Sequence, residues 1–161
     1  MDSMLLSGKR DTCNPILERR LHSCSLEWTL MVTLEEARRV IAAAEQKDVE
    51  IKQPMNIAVV DKGANLVSHV CMDGTWIGSS EISINKAFTS RAFDISTEDL
   101  AQYSQSGGHF FGIRVSNQGR VMVFADGIPL KRGGRVVGAV GVSGGSGERD
   151  HTLAEAGAKS F

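Results

Sequence analysis

The stretch Val136–Asp150, VVGAVGVSGGSGERD, admits few local structures. An apolar run of strand length stops at clustered glycines, and a polar segment with acidic residues in its opening turn begins at once. The order is therefore strand, glycine loop, helix. Backbone without side-chain bulk at a helix N-terminus exposes unpaired N–H groups, so the junction with Gly144 and Gly145 either holds an anion, walls a pocket, or is a tight connector. The spacing Gly138, Gly141, Gly144 is G-x-x-G-x-x-G and the chain ends soon afterwards, which leaves no room for a dinucleotide-binding crossover and its acidic ribose partner. No G-x-x-x-x-G-K-[ST] is present either.

A chain of 161 residues with 42% hydrophobic and 23% charged residues suits one globular domain. Its 18 basic and 19 acidic residues give no electrostatic reason to expect nucleic acid or an anionic membrane as partner. No apolar run is long enough for a membrane span, and the start, MDSMLLSGKR, lacks the core of a secretory signal. Cys13, Cys24 and Cys71 are an odd, widely spaced set without CxxC, which argues against a disulfide framework or structural zinc and for a reducing, cytoplasmic setting.

Taken in order, residues 1–25 read as an extension in which Asn14-Pro15 opens a short helical stretch, and residues 26–161 as one domain. Leu26–Val32 alternates as a strand. Thr33 and Glu36 then form a capping box for a helix over about 34–47, with Leu34, Ala37, Val40, Ile41 and Ala44 on its core face. MNIAVVD and NLVSHVCM read as a hairpin around Asp61-Lys62-Gly63-Ala64-Asn65. The second of these strands is apolar on both sides, which predicts cover on both. A helix follows from Ser79 or Ser80 to about Phe93, with Ile84, Ala87, Phe88 and Arg91 on one side. Ser96 or Thr97 caps a further short helix, TEDLAQY. RVMVFAD, GIPLKR and RVVGAVGV read as an antiparallel meander, and a last helix spans about Gly147–Lys159.

Among chemical candidates, His109 sits in the glycine-flanked SGGHFFG beside Phe110, where Gly107 and Gly108 leave space for a flat ligand; loops are also where function concentrates. His69 shares a strand face with Cys71, and a hydrogen-bonded core role competes with ligation there. Lys86 interrupts small and apolar residues in NKAF. Its stem is expected to pack at the helix boundary with the ammonium in water; desolvated, it would instead meet a ligand carboxylate or move a proton. His22 and His151 read as solvated surface groups, Asp61 as a turn-former and Asp150 as a stabiliser of the last helix's first turn. Neither G-x-S-x-G nor H-E-x-x-H occurs.

Several of these pieces together, TLEEARRVIAAAE, MNIAVVDKGANLVSHVCMDG, NKAFTSRAF, SGGHFFGI, DGIPLKRGGRVVGAVGVSGG and ERDHTLAEAGA, resemble the haem-binding HbpS-like family that also includes GlcG proteins and the C-terminal domain of PduO-type proteins. The resemblance covers about residues 30–161. It implies an α/β (α+β) fold, a profilin-like sandwich whose antiparallel sheet of about five strands is flanked by helices, assembled as a dimer or larger homo-oligomer. It also implies a small-molecule ligand, with haem or a similar flat cofactor in a groove near a subunit interface. His109 is then the first candidate for the iron and His69 the second, with Gly107, Gly108, Phe110, Gly144 and Gly145 around the ligand. The chain departs from the family pattern at three places: His109 stands where proline usually follows the paired glycines, His69 and Cys71 where a large apolar residue and an arginine are usual, and Asp126 where glycine is common. The alternative is a cofactor-free isomerase or lyase acting on a small metabolite, with Lys86 or His109 as the acid/base group.

Overall fold

The computed structural model describes residues 31–161. The predicted extension and all but the end of the predicted strand at 26–32 lie outside them. Thr33 caps helix α1 (Leu34–Ile51): its hydroxyl accepts from Glu36 N at 3.2 Å, while Glu36 Oε2 accepts from Thr33 N at 2.9 Å. The box therefore forms as the T-x-x-E spacing requires. Ala37, Val40, Ile41 and Ala44 are buried along one face, whereas Leu34 is 46% exposed.

Strands β1 (Asn56–Val60) and β2 (Leu66–Cys71) form the expected hairpin. Asp61 makes its turn, because Oδ1 accepts from the backbone N–H of Gly63 at 2.8 Å and of Asn65 at 2.9 Å. Helices α2 (Ile77–Phe93) and α3 (Thr97–Tyr103) follow, the second capped by the Ser96 hydroxyl. Then come β3 (Gly127–Arg132), β4 (Arg135–Ser143) and α4 (Gly147–Lys159). The described strands form one antiparallel sheet in the order β2-β1-β4-β3.

The architecture is the expected profilin-like sandwich, with four described strands instead of about five. RVMVFAD is not a strand. Met122 N donates to the Thr89 hydroxyl at 2.9 Å, the same hydroxyl approaches Arg120 O at 3.3 Å, and the Arg120 guanidinium lies 3.7 Å from the Phe88 ring centroid. The segment thus spends its polar groups on α2 rather than on a neighbouring strand. A second difference concerns β2, which is an edge of the sheet among the described residues, exposed at both ends and only part-buried between them.

The two faces of the sheet differ in bulk. Ile57, Val59, Val140 and Val142 pack with Val40 and Ile41 of α1 and Leu153 of α4 in the main core. Each such side chain contributes roughly 1.5–3 kcal/mol when fully buried. On the opposite face, register places His69, Ala58, Gly141 and Gly127 in one row across all four strands. Helix α2 presses its backbone onto that row: a Cβ added at Gly141 would lie 2.2 Å from Ser83 O, and one at Gly127 2.4 Å from Lys86 O. The face α2 buries is correspondingly small and polar. It comprises Ser79, Ser83, Asn85, Lys86, Ala87, Thr89 and Ser90, and Ile84 packs beside Ala87 at its margin.

Candidate functional site

Lys86 is only 1% exposed, so its ammonium is in the interior and not in water. The correction follows from the glycine row: α2 lies so near the sheet that a long side chain on its inner face runs between strand ends instead of reaching solvent. Nζ donates to Asp126 Oδ2 at 2.9 Å, to Val142 O at 2.8 Å and to Asp150 Oδ2 at 3.3 Å. Three acceptors use all three of its donors, which leaves none for a substrate. The Phe124 ring centroid lies 4.9 Å from Nζ. Burial pushes the Asp126 carboxyl above the ordinary aspartate value, Lys86 opposes that rise, and Asp150 adds to it.

Asp126 and Asp150 are the residues sequence reasoning left without chemistry. Asp126 adopts φ 90°, a positive-φ conformation that favours glycine. Asp150 also engages the glycine junction. Its Oδ1 accepts from Gly145 N at 2.8 Å, so the anion at the start of α4 is the chain's own carboxylate. Gly144 meets the backbone of Pro54 and Met55, and Gly145 the side chains of Gln53 and Met55, so both pack inward.

Gly107, Gly108, His109 and Phe110 lie together in the loop after α3. Gly107 takes φ 83°, and a Cβ at Gly108 would stand 2.3 Å from Tyr103 O. That fit lets Phe110 N donate to Tyr103 O at 3.0 Å, with the two rings edge to face at 6.1 Å. The loop is thereby folded back on the end of α3, and it turns His109, Phe110 and Phe111 outward; the two phenylalanines are 49% and 62% exposed. No described residue hydrogen-bonds the His109 imidazole.

His69 lies elsewhere, half-buried on β2, with Nε2 3.4 Å from Ser80 Oγ on α2. Cys71, two residues on, is exposed and contacts Thr75 Oγ1 at 3.1 Å. Burial lowers the His69 pKa from its ordinary 6.5 and so favours the neutral ring. A depressed histidine contributes stability that is present above its unfolded value and lost as pH falls through its folded one. Wild-type stability is therefore expected to fall more than that of His69→Gln between about pH 7.5 and about pH 5. Urea titrations of both proteins at the two pH values check the sign.

The surface carries an open cleft of about 450 Å³ lined by Lys47, Glu50, Glu148, Arg149 and Thr152, and a groove of about 220 Å³ lined by Ile128, Glu155, Ala158 and Lys159. Neither includes His109 or His69. Among the described residues no group of three His, Cys, Asp or Glu side chains is placed to hold a metal ion, and no helix is long and apolar enough to cross a membrane.

The family model of haem-degrading HbpS-like proteins matches residues 32–159. An uncharacterised 15.0 kDa protein from the dhaT-dhaS intergenic region of Citrobacter freundii is 39% identical over 124 residues, covering 77% of this chain and 87% of its own. The crystal structure of Klebsiella pneumoniae ORFY, of family DUF336, superposes with a TM-score of 0.79 at 35% identity, over 81% of this chain and 90% of that one. The crystal structure of a PduOC:heme complex superposes with a TM-score of 0.76 at 28% identity, over 79% and 92%. The sandwich, the matched span and these likenesses agree: the chain belongs to the HbpS-like family.

Proposed function

We propose that the protein binds haem, or a similar flat conjugated ligand, against the loop that carries His109. The observation that carries this reading is the loop itself: an outward imidazole free of hydrogen bonds to described residues, beside two half-exposed phenylalanine rings on a glycine-shaped backbone. The donor set fits the group in kind, since neutral imidazole is an axial ligand for haem iron and aromatic rings stack on a macrocycle. His109 would hold the iron, Phe110 would pack on the macrocycle, and Gly107 and Gly108 would let the ligand come close to the backbone. When bound, haem supplies a redox-active iron.

A likeness to a haem complex among solved structures supports the ligand class. Neither cleft described above includes His109, and in this reading a second copy of the chain covers the other side of the ligand. His69, engaged with Ser80, is the second candidate. Gly144 and Gly145 hold the scaffold at the opposite end of β4 from the β3–β4 turn.

Titrating the apoprotein with hemin is expected to give a saturable Soret band, weakened at least about tenfold in apparent affinity in His109→Ala and retained in His69→Ala. An unchanged spectrum and affinity in His109→Ala would remove the assignment. Native mass measured with and without hemin tests the shared site, because a monomer that binds one hemin unaided contradicts it.

A further inference from the structure

One carboxylate oxygen in the interior lacks a partner. Asp126 is 2% exposed, its Oδ2 is taken by Lys86, and its Oδ1 is buried with no hydrogen bond. An unpaired buried oxygen is costly, and φ 90° at a non-glycine residue adds a separate cost at the same position. Asp126 is nonetheless clamped in place. Its carbonyl accepts from Val142 N at 3.0 Å, and the next amide, Gly127 N, donates to Thr97 Oγ1 at 2.9 Å.

The group that approaches the bare oxygen is His151 on α4, with Nδ1 3.7 Å away. This imidazole, 39% exposed, presents its other nitrogen to the surface, where Nε2 lies 3.7 Å from Glu155 Oε1. Glu155 in turn lines the groove with Ile128, Ala158 and Lys159, and its Oε2 is held by Lys159 at 2.7 Å. A buried cation, a carboxylate it fixes, an imidazole and a groove therefore follow one another from the core outward. A buried carboxylate that fixes the tautomer of an exposed imidazole is the arrangement by which imidazole becomes an effective base.

We propose that Asp126 and His151 form an acid–base pair serving the groove between β3 and α4. A small rotation of the ring brings Nδ1–H onto Asp126 Oδ1 and leaves the Nε2 lone pair facing the groove. There it accepts a proton from a small, mainly apolar organic molecule with one weakly acidic O–H or C–H. The Nε2–H bond forms as the substrate's bond to hydrogen breaks, the electron pair stays on the substrate, and the proton later returns to substrate or water. Nothing is oxidised or reduced. Lys86 holds Asp126 through Oδ2 and so keeps Oδ1 for the histidine, while Asp150 shares the lysine's charge from the other side. Lys159, held by Glu155, adds a cation to the lining of the groove. The pair requires neither His109 nor haem.

Nitrogen NMR of the imidazoles above about pH 8, where histidine is ordinarily neutral, reads the pair directly. His151 is expected as the Nδ1–H tautomer in the wild type and to lose that preference in Asp126→Gly, a change the backbone at 126 accepts. The acyl probe p-nitrophenyl acetate supplies a second readout on the wild type and on His151→Gln, a substitution at a partly exposed site. Nε2 attacks the acetyl carbon, p-nitrophenolate leaves with the broken C–O pair, and water cleaves the acetylimidazole to acetate. Release of p-nitrophenolate is expected at least about tenfold faster in the wild type than in His151→Gln. An Nε2–H tautomer in the wild type, or equal rates in the two proteins, overturns the proposal.

Discussion

Replacing Lys86 by methionine is expected to cost about 3–5 kcal/mol of folding stability, read as a lower midpoint in urea. Methionine matches the stem in volume, so the loss comes from the charge. Asp126 and Asp150 would be left facing each other at 2% and 4% exposure without the ammonium between them. The deficit should depend on pH. Burial already raises the Asp126 carboxyl, and a raised acid contributes stability that is present below its unfolded value and lost as pH rises through its folded one. The Lys86→Met protein is therefore expected to lie closest to wild type in acid and furthest from it near neutrality. Adding Asp126→Gly should recover part of the loss, since it removes one stranded carboxylate and the φ 90° strain together.

Gly141→Ala is expected to destabilise by about 3 kcal/mol or more, at the severe end of overpacking. The added Cβ meets Ser83 O at 2.2 Å and Ala87 N at 2.5 Å, and both are backbone atoms of a helix that cannot swing aside as a side chain would. Gly147→Ala supplies the contrast. A Cβ there meets nothing within 4 Å, and the position opens α4, so stability is expected to hold or rise slightly. Thermal melts of the two single variants beside wild type check both directions.

What was legible in the chain was local. The Thr33–Glu36 box, the Asp61 turn and the full span of α4 each depend on residues within a few positions of one another, and each stands where it was read. The inner face of α2 is not announced by apolar spacing, since only Ala87 of the residues aligned on one side of it is buried. Here the sheet presents glycine and alanine, and a close helix buries serine and threonine instead. The Lys86 cluster was out of reach for another reason: its acidic partners stand 40 and 64 residues away, and only the β4–α4 junction brings them together. RVMVFAD carries a strand's composition, and the Thr89 hydroxyl overrides it. His109 was legible as a loop residue. That the loop turns it outward depends on Tyr103 O receiving the Phe110 amide, which no spacing announces.

The unequal faces of the sheet also bear on how such a chain can change over time. Aliphatic side chains of Ile57, Val59, Val140 and Val142 against α1 and α4 can be exchanged for others of similar volume at modest cost, since a core of that kind repacks. Gly141 and Gly127 have no such freedom, because backbone of α2 lies against them and even a methyl group collides. Replacements are thus tolerated on one side of the sheet and refused on the other, where the helix that carries Lys86 sits at a distance that only glycine permits.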